Sequence, residues 1–313
     1  MSGPEASGGK IGLSIASHSG LPSAAIGELA GAAERAGFGA VFVAEGHGDA
    51  LALCHPVAAA TARVRVGTAI ANAALRPPVL TAKTAAQLDQ AASGRFILGL
   101  GVGNAVMNAR FGLSPFAPLR MVEEYVEVIR SVLNRDTGYD GRLFRTGMVP
   151  LDSPPIRAGL PVWLGALGPR MLALAAARAD GALTYLVTPA HTAVARAALG
   201  DGFLAVEQSV VLGQDRDEFL RRAHEHLNWY TGLENYRASW LRLGFDHDDF
   251  VRGGSERLCD AIVAHGDAAA IAACVRAHVD AGADHVVLQV LGATTLEMPG
   301  DAWDELGATL TEA

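Results

Sequence analysis

Apolar residues along this chain recur with two spacings that take turns. Runs in which nearly every position is apolar or small stand at Lys10 to Ser17, Gly39 to Ala44, Val64 to Ile70 and Arg95 to Leu98. Such runs suit parallel strands covered on both faces. Between them the apolar positions open to helical spacing. Pro22 to Ala36 places Ile26, Leu29, Ala30 and Ala33 on one face before Gly37 stops it. Leu51 to Thr61 and Val79 to Ala91 repeat the pattern, the latter started by Pro77-Pro78. Ala117 to Leu133 carries Leu119, Val122, Val126, Ile129 and Leu133 on a single stripe, which predicts an amphipathic helix.

The alternation resumes with a strand at Pro161 to Leu164, a helix at Gly168 to Arg178 and a strand at Asp180 to Tyr185. Thr188-Pro189 supplies an N-cap and a first-turn proline for the next helix. Phe203 to Leu212 is strand seven. Helical spacing then covers Asp215 to Gly244, Ser255 to His265 and Ala268 to Ala281, before a last strand at Asp284 to Val290. Eight strands alternating with helices predict an α/β protein, and at this length a closed (β/α)8 TIM barrel. Periodicity alone also admits a doubly wound open sheet. Two stretches break the rhythm, one after strand 4 at Asp136 to Leu160 and one after strand 7 at Trp229 to Gly254. The first reads as an inserted loop or short hairpin, and both are expected to shape a pocket.

Strand four runs straight into glycines at alternate positions, in Gly94-Arg95-Phe96-Ile97-Leu98-Gly99-Leu100-Gly101-Val102-Gly103-Asn104. Glycines at a strand's carboxyl end let backbone amides approach a ligand. A dinucleotide fingerprint fails here, because Asn104 stands where its third glycine would fall and no acidic residue ends a following strand.

Composition narrows the setting. Half of the 313 residues are hydrophobic, enough for a large core, and the net charge of -8 leaves no basic footprint for nucleic acid or acidic lipid. No apolar run reaches the ~18 residues that cross a bilayer. Cys54, Cys259 and Cys274 are too scattered for a disulfide framework, which points to a reducing cytoplasm. Met1 to Gly9 reads as a disordered tail, leaving residues 10–313 as a single domain. The expected partner is a small molecule.

Several features that resemble sites have plainer readings. His224 and His226 are two apart on a helix and point to different faces, so His224-Glu225-His226 reads as a solvated face and not as a metal site. Asp246-His247-Asp248-Asp249 lacks the glycine and glutamate of a calcium loop and reads as a polar turn. Cys54 and His55 are adjacent in a helix and cannot face each other. Trp229, Tyr230, Tyr236, Trp240, Phe245 and Phe250 fit a core or a cap over a bulky substrate equally well.

The Gly94 to Asn104 stretch, Pro161 to Met171, and Ala179-Asp180-Gly181 with Tyr185 to Pro189 resemble the bacterial luciferase-like superfamily, and within it the oxidoreductases that use the deazaflavin coenzyme F420. The resemblance covers about Lys10 to Leu291 and implies a TIM barrel with the tricyclic ring at the carboxyl ends of the strands. It implies a non-prolyl cis peptide between Ala69 and Ile70 behind the ring. Asn72 matches a position that hydrogen-bonds the ring, and Gly101, Val102, Gly103 and Asn104 match the loop that approaches it. Many deazaflavin relatives carry glutamate where Asn104 stands, and a neutral amide cannot transfer a proton. Glu45 matches an acidic position after the second strand. The next position, often histidine, is Gly46 here, so His47 and His18 are the expected proton carriers. Gly165, Ala166, Leu167, Gly168, Pro169 and Arg170 match a second loop. There the first-turn amides of a helix, with Arg170, are expected to receive the coenzyme's phosphodiester. Tyr185 is expected to line the pocket by its ring, its hydroxyl, or both.

The expected function is therefore an F420-dependent oxidoreductase that moves a hydride between the deazaflavin and a small organic substrate, with homodimerisation implied by the family. An FMN-dependent monooxygenase of the same superfamily and a barrel relative without catalysis remain open at this level.

Overall fold

A computed structural model describes residues 9–15, 21–46, 48–114, 116–157, 159–292 and 300–311. All of the expected tail but Gly9 therefore falls outside the described residues, as do His18 and His47. In chain order the first half comprises β1 (Ile11–Ile15), α1 (Ser23–Arg35), β2 (Ala40–Val43), α2 (Ala50–Ala60), β3 (Arg65–Thr68), β4 (Ala71–Asn72), α3 (Pro78–Ala91) and β5 (Phe96–Gly101). There follow α4 (Ala105–Arg110), α5 (Pro118–Asn134), β6 (Gly138–Asp140), β7 (Arg145–Gly147), β8 (Val162–Gly165), α6 (Pro169–Arg178), β9 (Gly181–Tyr185) and α7 (Pro189–Leu199). The rest is β10 (Phe203–Leu212), α8 (Arg216–Tyr230), α9 (Glu234–Arg242), α10 (Glu256–Ile262), β11 (Val263–Gly266), α11 (Ala268–Asp280), β12 (His285–Val290) and α12 (Gly300–Thr311).

Parallel pairing runs β1-β2-β3-β5-β8-β9-β10-β12 and returns from β12 to β1, which closes an eight-stranded barrel. Alternate residues face inward. Ala40, Phe42, Ile97, Trp163, Leu183, Ala205 and Val287 fill the interior, while Leu13, Val41, Val66, Leu98 and Leu164 face the surrounding helices. Trp163 stacks on Phe203 at 4.7 Å between ring centroids and on Phe42 at 5.7 Å, so the amino-terminal half of the barrel is plugged. His285 starts β12 in that plug, and burial pushes its imidazole down to about 3.

Four expectations are corrected. Strand four does not end at Leu98; β5 runs to Gly101, so Gly99 and Gly101 lie in the strand and not in a loop. A Cβ at Gly99 would overlap the Thr68 carbonyl oxygen, so that glycine admits a neighbouring strand and not a ligand. The helix expected over Ser255 to His265 stops at Ile262, and β11 pairs with Ser209 to Leu212 of the long strand β10. The short helix α4 was not foreseen.

The fourth correction concerns Asp136 to Leu160. It does contain an antiparallel hairpin, β6 with β7. Because it follows a helix and not a strand, it does not enter the site. Among the described residues its hydrogen bonds go to itself, to α5, to the end of α3 and to the start of β5. Glu124 accepts from the Leu143 amide (2.6 Å), Asp89 accepts from Ile156 (2.8 Å), and Arg157 donates to the Phe96 carbonyl. The insertion after strand 7 does sit over the barrel mouth, with Trp240 Nε1 donating to the Leu186 carbonyl just past β9 (3.0 Å).

Candidate active site

The carboxyl ends of the strands form a mouth with two unlike halves. On β3, β5 and β8 the inward positions are small. Ala69 and Ile70 are joined by a cis peptide. The Ile70 side chain lies between Gly101 and Gly165, where a Cβ would come within 2.8 Å and 3.2 Å of it respectively. This shelf is fixed from behind. Glu45 N donates to Ile70 O (3.0 Å), while the Glu45 carboxylate accepts from Asn72 N (3.0 Å) and from Ala50 N at the start of α2 (3.3 Å). Burial raises the Glu45 carboxyl above its ordinary value, against the two amides that hold it ionised.

Asn72 caps a short 3-10 turn by accepting from Ala74 N (3.0 Å) and donates through Nδ2 to Asn108 Oδ1 (2.9 Å). Asn108 donates in turn to the Val102 carbonyl (2.8 Å). Gly103 has φ +63, and a Cβ there would come within 2.5 Å of Asn72 Nδ2, so only glycine lets the loop close over this amide pair. Asn104 is the N-cap of α4, its Oδ1 accepting from Met107 N (2.9 Å). Asn72 and Asn104 are thus engaged in holding the loop, Asn104 through its side-chain oxygen and Asn72 through both its oxygen and Nδ2.

The opposite half, on β1, β9, β10 and β12, is polar. Inward positions near the strand ends are Ser14, Tyr185, Glu207, Ser209 and Gln289, all but Tyr185 buried. The register sets Glu207 beside Tyr185 and Val287, and Ser209 beside Gln289. Tyr185 Oη donates to Gln289 Oε1 (2.6 Å), and Ser209 Oγ donates to the same oxygen (3.0 Å). His226, from α8, brings Nε2 to 2.8 Å from Tyr185 Oη and 3.1 Å from Ser209 Oγ. With both hydroxyl protons turned to Gln289, His226 Nε2 is the donor to both oxygens. Tyr230 and Tyr236 meet the Tyr185 ring edge-on at 5.5 and 6.3 Å. Burial, with Tyr230 and Glu207 nearby, holds the Tyr185 hydroxyl well above the ordinary phenol range.

Glu207 itself is enclosed in the barrel, and no cation pairs with it among the described residues. Burial pushes its carboxyl up to about 7. The Ser14 side chain opposes that shift by proximity, although its oxygen meets no partner at hydrogen-bonding geometry.

The second expected loop has the intended shape with different contacts. Ala166 N donates to Leu183 O (2.9 Å), and the Met171 and Leu172 amides turn to Gly168 O (3.1 and 3.0 Å), so these amides serve the fold. Pro169 opens α6 and has no amide hydrogen. Arg170 is exposed at the helix start. Arg242, at the end of α9, reaches over the same loop and donates to Leu167 O (3.3 Å); His191 Nε2 lies 2.9 Å from that oxygen. An anion at this corner would meet the guanidinium groups of Arg170 and Arg242.

The structure therefore brings together Glu45, Ala69, Ile70, Asn72 and Gly101 to Asn104 on one side, and Gly165 to Arg170 beside them. His226, Ser209, Glu207, Gln289, Asn108 and Arg242 escaped the sequence reading. The solvated-face reading of His226 is corrected. His226 shares its stripe with Phe219, Ala223 and Tyr230, spaced four, three and four, and that stripe faces the barrel. His224 is half-buried as well, its Nδ1 lying 3.1 Å from Gly253 O. The aromatic cluster divides: Trp240, Phe245 and Phe250 are core, while Tyr230 and Tyr236 line the mouth.

Fold and mouth together define a (β/α)8 barrel with its candidate site at the carboxyl ends of the strands. The sequence matches the luciferase-like monooxygenase family over residues 10–285, and the chain belongs to that family. A Mycobacterium tuberculosis protein, provisionally named a coenzyme F420-dependent oxidoreductase, is 36% identical over 212 residues, covering 63% of this chain and 61% of that protein. The phthiodiolone/phenolphthiodiolone dimycocerosates ketoreductase of Mycobacterium bovis is 30% identical over 201 residues, covering 59% and 53%. The chain thus matches less than two thirds of the length of these curated relatives. The F420-dependent tetrahydromethanopterin reductase of Methanopyrus kandleri has the same fold, with a TM-score of 0.78 at 20% identity over 95% of this chain and 97% of that one.

Proposed function

We propose that this protein is an F420-dependent oxidoreductase acting on a carbonyl group or the corresponding alcohol. The observation that carries the reading is the divided mouth, a shelf of small residues facing a hydroxyl and imidazole cluster. Ala69, Ile70, Gly101, Gly165 and Ala166 fit one face of a flat tricyclic ring, because a larger residue at either glycine would displace Ile70. Asn72 and Asn104 have amide hydrogens for the ring edge, and Arg170 with Arg242 would hold the coenzyme's anionic tail. When bound, the coenzyme supplies the hydride chemistry.

The protein's own share is orientation, exclusion of water and proton handling. The Tyr230, Tyr236 and Trp229 side of the insertion covers the polar half, and the Tyr185 hydroxyl suits a substrate oxygen that gains or loses a proton. The names of the mycobacterial relatives support both the coenzyme and the carbonyl class. Titrating the apo protein with deazaflavin and with FMN, and following tryptophan fluorescence, tests the coenzyme. Saturable quenching by the deazaflavin is expected; tight FMN binding with no response to the deazaflavin would overturn the reading in favour of a flavin monooxygenase.

A further inference from the structure

The polar half of the mouth contains more titratable chemistry than one hydroxyl needs. Tyr185 Oη is in contact with His226 Nε2, and Glu207 stands beside Tyr185 on the neighbouring strand. The groups that face Glu207 are Tyr185 from β9, Tyr230 from α8, Tyr236 from α9 and Ser14 from β1, with Val287 of β12 alongside. Among the described residues none of these is a permanent cation, and a proton taken up nearby would balance a charge on Glu207. The two hydroxyl donors converge on Gln289, which orients Tyr185 and leaves His226 as the group that donates to the phenol oxygen.

We propose that His226 and Glu207 form the proton supply of this site: Tyr185 exchanges a proton with the substrate oxygen, His226 Nε2 exchanges one with Tyr185, and Glu207 acts as the proton reserve beneath them. The proposal rests on the carbonyl-reducing reading above. In the reducing direction a hydride arrives at the carbonyl carbon and forms the new C–H bond. The C=O π pair moves to oxygen and takes the Tyr185 proton, which turns from Gln289 Oε1 to the substrate, as a new O–H bond. The phenolate takes its proton back from the imidazolium form of His226, which becomes the neutral imidazole, and one proton taken from solvent restores the charge shared by His226 and Glu207. The carbonyl carbon is reduced by two electrons, which come from the reduced deazaflavin. Tyr185 is the catalytic residue; His226 and Glu207 act through it and are positioning residues.

Two readouts test this, one of which does not require the coenzyme. In the apo protein, the infrared stretch of a protonated buried carboxyl is expected to titrate away near neutral pH, because burial pushes Glu207 up to about 7. The band should be missing in Glu207→Gln, and its midpoint should move in Tyr185→Phe and in His226→Gln. A band that neither substitution moves would show that the groups are uncoupled and overturn the proposal, whatever coenzyme binds.

The second readout is the single-turnover rate with reduced deazaflavin and a panel of small aldehydes and ketones, with coenzyme affinity measured for each variant so that lost binding is separated from lost chemistry. His226→Gln and Tyr185→Phe should slow turnover ~100-fold or more and reduce the solvent deuterium effect. Glu207→Gln should flatten the pH profile around neutrality, and Glu207→Asp should restore it in part. Loss confined to His47→Gln or His18→Gln, with His226→Gln at the wild-type rate, would take the proton supply away from His226 and overturn the proposal. Failure of deazaflavin to bind at all would instead overturn the functional reading, leaving the infrared coupling to decide the relay.

Discussion

The two halves of the barrel mouth are built on opposite principles. On the side of β3 and β5, side chains are removed until strands and loops nearly touch: Gly99 admits the Thr68 carbonyl, Gly103 admits the Asn72 amide, and Ile70 fills what remains between Gly101 and Gly165. On the side of β9, β10 and β12 the inward positions keep large polar side chains, and these are paired with one another: Tyr185 and Ser209 on Gln289, with His226 on both. The first half gains its shape from backbone and is rigid at the cost of chemistry. The second gains chemistry from side chains whose protons can be rearranged. A planar group and a protonatable group can thus be served side by side without competing for the same residues.

The sharpest break comes on the glycine side. Gly99→Ala forces a Cβ into backbone that cannot yield, and a loss of more than ~4 kcal/mol is expected, read as absence of a cooperative thermal transition. If the variant melts like wild type, the close approach is not what that glycine serves.

On the polar side the largest effect is one of pH. Glu207 titrates near 7 in the folded protein and near 4.5 when exposed, so the folded state holds its proton more tightly. Its contribution is present below about pH 4.5 and is lost as pH rises through 7. Wild type should therefore lose roughly 2–3 kcal/mol over that range relative to Glu207→Gln. Parallel denaturant curves at pH 5 and pH 8 check this, and an equal decline in both proteins would contradict it.

Tyr185→Phe should cost ~1–2 kcal/mol in the same assay, because Gln289 and His226 each lose a buried partner. Gly165→Ala meets Ile70 at 3.2 Å, which a side chain can accommodate. Here the melting temperature should hold within a few degrees while deazaflavin affinity falls about tenfold, a 1.4 kcal/mol effect. One exposed pair that bridges the halves is the Arg110 guanidinium of α4, 5.3 Å from the ring centroid of Trp229 on α8. Arg110→Ala should cost only ~0.5 kcal/mol in stability, since both groups are solvated. A larger cost would mean that the two halves are mechanically coupled.

The glycine half was far more legible in the sequence than the polar one. Strands buried on both faces give continuous apolar runs, which is why the barrel strands could be placed, Phe203–Leu212 to the residue. The cis position at Ala69–Ile70 followed from resemblance. Gly99 could be seen as special, but a missing side chain does not say what approaches it, and a strand came where a ligand was expected.

Apart from Tyr185 the polar half was hidden, because its members run from Ser14 on β1 to Gln289 on β12 and meet only once the barrel closes. His226 had a signal, its spacing from Phe219 and Tyr230. The adjacent His224 and Glu225 masked that signal by suggesting a wet helix. Val263 to Gly266 failed as a strand because four residues after a helix carry no period of their own.

The hairpin that follows α5 has a practical meaning. Its hydrogen bonds tie it to α5, the segment beyond it is tied to α3 and the start of β5, and Met148 just past its second strand is 71% exposed. An affinity tag, a dye or a surface anchor grafted there would hang from the outside of the barrel, so the protein can be immobilised for coenzyme titration with its mouth turned toward the solution.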